Sequence, residues 1–294
     1  MSENHDHEHD HHAEQPPVRA GGTFLPFEAL AGQFDPGRGG GRMLISQAWS
    51  AVLDEQLAIV AHQWGNGIGT GVVRGFLLSG PPGTGKTTLA KRLGYELGLR
   101  FPRRAGRDGV ATVLLDGSEI ARGRYGESEQ RIRDIFQAAV EGFGLPGQRV
   151  VLIFDDAESI FMSRGSEQAR EWHYSQDNVF FHAVDDLDTS RVTIVLTTNR
   201  PDLVDDAIGD RFLGYVLDYP PADVLAEVAG RCLAAQGLPD DQQAEFSQTV
   251  AAALVGGSLR SLRDAQRLAL RYYVTRLTGR DAPVAVGPRA AASS

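Results

Sequence analysis

The chain has one cysteine, Cys232, in 294 residues, so no intramolecular disulfide can form. That usage fits a reducing cytoplasm. The neighbours Val228, Ala229 and Leu233 mark the thiol as a buried structural group. No apolar run approaches the length needed to cross a bilayer, and no membrane partner is expected. The N-terminus carries acids and histidines where a secretory signal would place basic residues and an apolar segment. Basic residues are in deficit: 29 Lys and Arg against 38 Asp and Glu leave a net charge of −9, which argues against a generic nucleic-acid partner. Beyond the histidine-rich residues 1–12 no His-Glu-x-x-His occurs, so the α/β and helical segments carry no metalloprotease motif of that type. At 42% hydrophobic and 23% charged residues, the remainder has the composition of a soluble globular domain.

The organisation follows from composition. Residues 1–41 read as a flexible N-terminal segment with a Gly-rich linker. It holds His5, His7, His9, His11 and His12 interleaved with carboxylates. Within it Phe24, Leu25, Phe27, Leu30 and Phe34 form an apolar cluster, suited to docking on the main domain or to binding a partner. Residues 43–64 carry helical periodicity. Five β-rich runs, at 75–79, 112–115, 150–154, 192–197 and 215–218, then alternate with helical segments. This alternation predicts an α/β fold, a three-layer αβα domain over 42–219 with a mostly parallel five-stranded sheet. Helical patterns at 222–236, 241–255 and 258–277 predict a small helical lid domain over 220–280, with a flexible tail at 281–294.

The first run leads into Gly80-Pro81-Pro82-Gly83-Thr84-Gly85-Lys86-Thr87-Thr88, a G-x-x-x-x-G-K-T phosphate-binding loop between a strand and a helix. Glycines let the backbone approach phosphate, and N–H groups at the helix start face the anion. Pro82 to Thr88 are therefore expected to cradle a nucleoside triphosphate, with Lys86 on the β- and γ-phosphates and the Thr87 hydroxyl on Mg²⁺. The run Val150-Val151-Leu152-Ile153-Phe154-Asp155-Asp156 is an apolar strand ending in carboxylates, the Walker B pattern. Asp155 is expected to hold Mg²⁺ opposite Thr87, and Asp156 to orient the attacking water. A glutamate is usual at that second position, and Asp156 is one methylene shorter. Glu158, two residues on, would face the same way in an extended chain and assist.

Together with Gly126-Glu127-Ser128-Glu129, Leu196-Thr197-Thr198-Asn199-Arg200-Pro201 and Asp206-Ala207-Ile208-Gly209-Asp210-Arg211-Phe212, these motifs make residues 70–275 resemble an AAA+ ATPase. The resemblance extends both to the AAA clade itself and to the branch that remodels HORMA proteins. It implies ATP and Mg²⁺ as ligands, a cytoplasmic ring of subunits, of hexamer type, and a protein client remodelled by ATP hydrolysis. By the same resemblance, Asn199 takes the sensor-1 position and Arg211 the arginine finger that reaches a neighbouring subunit's γ-phosphate. Asp210 stands where many members have a second arginine. Arg260 matches the sensor-2 arginine, within a stripe of Arg260, Arg263, Arg267 and Arg271 at helical spacing. The substrate-gripping loop maps to Arg124, Tyr125 and Gly126, with an arginine in the aromatic slot.

Two other readings remain open at this stage. Five imidazoles among carboxylates could hold Ni²⁺, Zn²⁺ or Cu²⁺ loosely, which would suit an ATP-gated maturation factor for a metalloenzyme. A DNA-loading or initiator ATPase is disfavoured by the net charge.

Overall fold

The computed structural model describes residues 22–38, 46–102, 109–122, 126–144, 147–160, 170–203, 206–237 and 240–279. A six-stranded sheet is built from β1 (Gly22–Leu25), β2 (Gly75–Ser79), β3 (Val110–Asp116), β4 (Arg149–Asp155), β5 (Val192–Thr198) and β6 (Phe212–Val216). Their order is β1-β3-β4-β5-β2-β6, parallel except for β1, which runs antiparallel to β3 with Phe24 opposite Val113. The last strand begins three residues earlier than its apolar pattern predicts.

Alternation along the strands divides the core into two layers. Val150, Leu152 and Phe154 of β4 face one side, with Ile132, Ile135 and Phe136 of α5 (Glu127–Val140) and Phe180 and Val184 of α6 (Arg170–Asp185). Val151 and Ile153 face the other, against α2 (Gln47–Asn66) and α3 (Lys86–Arg100), where Trp49, Leu53, Leu89 and Leu93 are buried. This is the expected αβα sandwich, with six strands rather than five.

The sixth strand corrects the expectation that residues 1–41 are flexible throughout. Residues 22–34 are folded: β1 covers the edge of β3, and α1 (Phe27–Phe34) lies on α3. Leu30, Ala31 and Phe34 are buried beside Tyr95, and Phe27 stacks on the Tyr95 ring at 5.5 Å. Arg92 of α3 donates to the Phe34 carbonyl at 3.0 Å and lies over both the Phe34 and Tyr95 rings. The apolar cluster of the sequence therefore docks on its own domain.

After β6 the chain turns helical, with α8 (Ala222–Ala234), α9 (Asp240–Val255) and α10 (Leu262–Thr278). Leu225, Ala229, Leu233, Phe246, Val250, Leu259, Ala265 and Ala269 form a separate small core. The last helix starts at 262, four residues later than its apolar pattern predicts. The Ser261 hydroxyl accepts from the Asp264 N–H at 3.2 Å, and Asp264 accepts from the Ser261 N–H at 3.0 Å. That reciprocal capping box fixes the start. Between β3 and α5 lies the short α4 (Gly117–Ala121), and α7 (Asp206–Gly209) precedes β6.

Candidate functional site

The C-terminal ends of β2, β4 and β5 meet at one edge of the sheet, the place where open α/β sheets bind ligands. There a cavity of about 610 Å³ opens between the phosphate-binding loop and the helical unit. Pro82, Gly83, Gly85, Lys86, Thr87, Thr88, Asp155, Asp156 and Asn199 all line it, as the sequence predicts. Thr84 is fully buried instead, its hydroxyl donating to the Pro81 carbonyl at 3.0 Å.

Lys86 is the first residue of α3, and its side chain is 6% exposed. Its Nζ donates to the carbonyls of Gly80 and Pro81 and to Asn199 Oδ1, each at 2.8 Å. Burial lowers its pKa, against the opposing pull of Glu158, Asp155 and Asp156. The Thr87 hydroxyl donates to Asp155 Oδ1 at 2.6 Å, and the Thr197 hydroxyl donates to the same oxygen. A hydroxyl and a carboxylate side by side at the cavity wall are hard oxygen donors. They fit Mg²⁺, which takes one or two protein oxygens and completes its shell with phosphate and water.

The chain does not stay extended beyond Asp156. That residue takes φ 52° and ψ 50°, a left-handed conformation rare outside glycine, and opens a 3₁₀ turn over Ala157–Ser159. Glu158 therefore reaches the site by a turn, not along a strand. Its Oε1 accepts from the Asn199 N–H at 3.3 Å, while its Oε2 is buried without a partner. Asn199 Nδ2 donates to Asp156 Oδ1 at 3.1 Å. Asn199 thus joins Lys86, Asp156 and Glu158 through three of its own groups. The Asp156 carboxyl is pushed above the usual carboxylate range, first by desolvation and then by Asp155, Glu158 and Asp116.

Arg260 is not brought to this cavity. It precedes α10, and its Nε donates to the Gly257 carbonyl at 2.7 Å. Arg263, three residues on, lines the wall in its place. Arg211 stands elsewhere, just before β6: its Nε and Nη2 donate to the Asp185 carboxylate at 2.7 and 2.8 Å, and its Nη1 to the Ala207 carbonyl at 3.0 Å. This ion pair holds the Asp185 carboxyl below its usual range. Gly126 caps α5 at φ +81°, while Arg124, Tyr125 and the five histidines of the N-terminal segment lie outside the described residues. Among the described residues no cluster of three or more His, Cys, Asp or Glu is placed to hold a metal ion. No helix among them is long and apolar enough to cross a membrane.

The sequence family described as "ATPase family associated with various cellular activities (AAA)" matches residues 76–216, the segment that carries this site. Residues 76–216 are an AAA ATPase domain. An "AAA ATPase forming ring-shaped complexes" from Rothia mucilaginosa is 36% identical over 176 residues, 57% of this chain and 28% of the relative. A "Proteasome-associated ATPase" from Thermomonospora curvata is 30% identical over 171 residues, 56% of this chain and 29% of the relative. The "Vesicular-fusion protein SEC18" of Saccharomyces cerevisiae is 32% identical over 148 residues, 48% of this chain and 18% of the relative. The chain thus aligns with less than a third of the length of each of these. The solved structure of C. elegans PCH-2 shares the fold, with a TM-score of 0.59 at 16% identity over 87% of this chain and 75% of that one.

The cavity has further lining residues to which the sequence motifs assign no role. Gln33 of α1, Thr197 of β5, Val228, Arg231 and Cys232 of α8, and Arg263 and Gln266 of α10 line the same cavity. For Arg263 a signal existed: Ser261-x-x-Asp264 is a capping pattern, and it sets which arginine falls inside the first helical turn. For Gln33 there was none, because nothing local says that α1 docks on α3.

Proposed function

We propose that the chain hydrolyses ATP with Mg²⁺ at sites shared between neighbouring copies in a hexameric ring, and uses the turnover to remodel a protein client in the cytoplasm. The observation that carries this reading is the place of Arg211. It immediately precedes β6, whereas the phosphate loop follows β2, and the two strands are parallel with Gly75 opposite Phe212 and Ser79 opposite Val216. Five residues of strand put about 17 Å between the two ends. The guanidinium of one chain is therefore far from that chain's own phosphate loop and suits the γ-phosphate of a neighbour. The names of the relatives, a ring-forming ATPase and a proteasome-associated one, favour such an assembly.

Within this reading Lys86 leaves its carbonyl partners for the β- and γ-phosphates, and Thr87 and Asp155 hold the metal. Bound Mg²⁺ supplies charge neutralisation on the phosphate oxygens. Asp156 accepts the proton side of the attacking water while Asn199 fixes its carboxylate, and Glu158 anchors Asn199 from behind. Arg263 rather than Arg260 is the arginine that the helical unit extends to the nucleotide. Arg124, Tyr125 and Gly126 grip the client by charge, stacking and close backbone approach.

Hydrolysis per subunit should rise with protein concentration, and Arg211→Ala should lower it about a thousandfold. Full activity of Arg211→Ala, or a rate per subunit independent of dilution, would remove the shared site. Replacing Arg124 and Tyr125 together by alanine should spare basal hydrolysis and abolish remodelling.

A further inference from the structure

We infer that Leu262 of α10 and Trp49 of α2 are positioning residues of the phosphate site, which clamp the loop backbone at Gly85 and make the cradle depend on where the helical unit sits. This rests on the reading of residues 80–88 as a nucleotide site.

Gly83 and Gly85 both hold left-handed backbone, at φ +79° and +98°. A Cβ placed on Gly85 would lie 3.1 Å from Leu262 Cδ1 and 3.2 Å from Trp49 Cζ3. Two side chains from different elements therefore close on the face of Gly85 where another residue would carry its Cβ, and they leave no space there for a side chain. Trp49 is itself fixed: it is 5% exposed, and its N–H donates to the Ser46 hydroxyl that caps α2, at 3.3 Å.

A second contact acts on the neighbouring peptide. The Leu262 N–H donates to the Gly83 carbonyl at 3.0 Å. Leu262 is the first residue of α10, so this N–H has no acceptor within its own helix, and the phosphate loop supplies one. In a planar trans peptide the carbonyl and the following N–H point in opposite directions. Holding the Gly83 carbonyl toward α10 therefore directs the Thr84 N–H away from it. One residue sets the orientation of a loop peptide by its backbone and the position of the next glycine by its side chain. Leu262 is also the one hydrophobic residue, among those described, that packs against both the α/β core on the α2 side and the core of the helical unit. Any displacement of α10 relative to the sheet is delivered to Gly83 and Gly85 first.

The test measures steady-state hydrolysis and the binding of ADP carrying a fluorescent ribose label, with Lys86→Ala as reference. Leu262→Ala should weaken ADP binding and raise KM for ATP about tenfold, with kcat changed far less, and Leu262→Met should restore most of the affinity. A second readout uses Trp49 as the sole tryptophan, in a Trp64→Phe, Trp172→Phe background. Saturating ADP should shift its emission, and Leu262→Ala should abolish the shift. If Leu262→Ala does not fold, Trp49→Phe decides: a raised KM supports the clamp, and an unchanged one overturns it. Affinity and KM within twofold of the parent in Leu262→Ala overturn the clamp while leaving the nucleotide site intact. Failure of the parent protein itself to bind ADP removes the nucleotide site and the clamp together.

Discussion

Asp156 departs from the glutamate usual at its position and also adopts backbone that non-glycine residues seldom take. Such strain costs on the order of 1–3 kcal/mol and is found where function holds it in place. Its carboxyl binds a proton more tightly in the fold than in the unfolded chain, because burial and three neighbouring carboxylates disfavour the charge. The folded state is therefore penalised as pH rises through the raised value, and the penalty is absent below the unfolded value of about 3.9. Asp156→Asn should accordingly unfold at a higher temperature than the parent near pH 7, with the pH-dependent part of the gain vanishing near pH 3. It should also bind ATP while losing hydrolysis by about a hundredfold or more. Cys232 offers a second check at this scale. Its thiol is pushed up by burial in the cavity wall, so alkylation at neutral pH should be slow, and saturating ATP should slow it further. Lys86, Thr87 and Asp155 were legible in the sequence because a fixed loop and a strand end dictate their places. Arg263 was missed, because the four-residue offset in the start of α10, which the Ser261–Asp264 capping box sets, decides which arginine of the stripe enters the cavity.

At the scale of elements, four of the five parallel strands announced themselves as short apolar runs close to their observed bounds, and the sixth, antiparallel one did not. β1 is a four-residue piece, Gly-Thr-Phe-Leu, too short to establish a period, and it follows a polar tract. Its partner α1 is eight residues long and would not persist alone in water, so tertiary burial is what makes it a helix. Phe34 and Leu30 supply that burial, at 1% and 3% exposed. Phe34→Ala should cost about 3–5 kcal/mol in urea unfolding and Leu30→Ala about 2–5 kcal/mol. Because α1 also carries Gln33 to the cavity, either change should weaken nucleotide binding as well. Glu158 teaches the same lesson: extended geometry predicted its side, but the chain turns at Asp156 and a 3₁₀ turn brings it back to Asn199.

For the whole molecule, a site divided between copies predicts complementation. On the proposed reading, Lys86→Ala subunits keep the finger and lose the cradle, and Arg211→Ala subunits do the reverse. Mixed in equal amounts and allowed to exchange, the two inactive proteins should regain about a quarter of the parent rate, because a quarter of randomly formed heterologous interfaces pair an intact cradle with an intact finger. No recovery after verified mixing would place Arg211 outside catalysis. The layered sheet and the helical unit were readable from periodicity, whereas their mutual placement was not, since it depends on contacts such as Leu262 to Gly83 that no local pattern encodes. The antiparallel seam at the sheet edge also has a mechanical meaning. Tension applied at Gly22 is borne first by the β1–β3 pairing over four residues, and then by Arg92 gripping the end of α1. Arg92 belongs to the same helix that begins at Lys86. A load applied at Gly22 would thus be met by α3, the helix whose first residue is Lys86 of the phosphate loop.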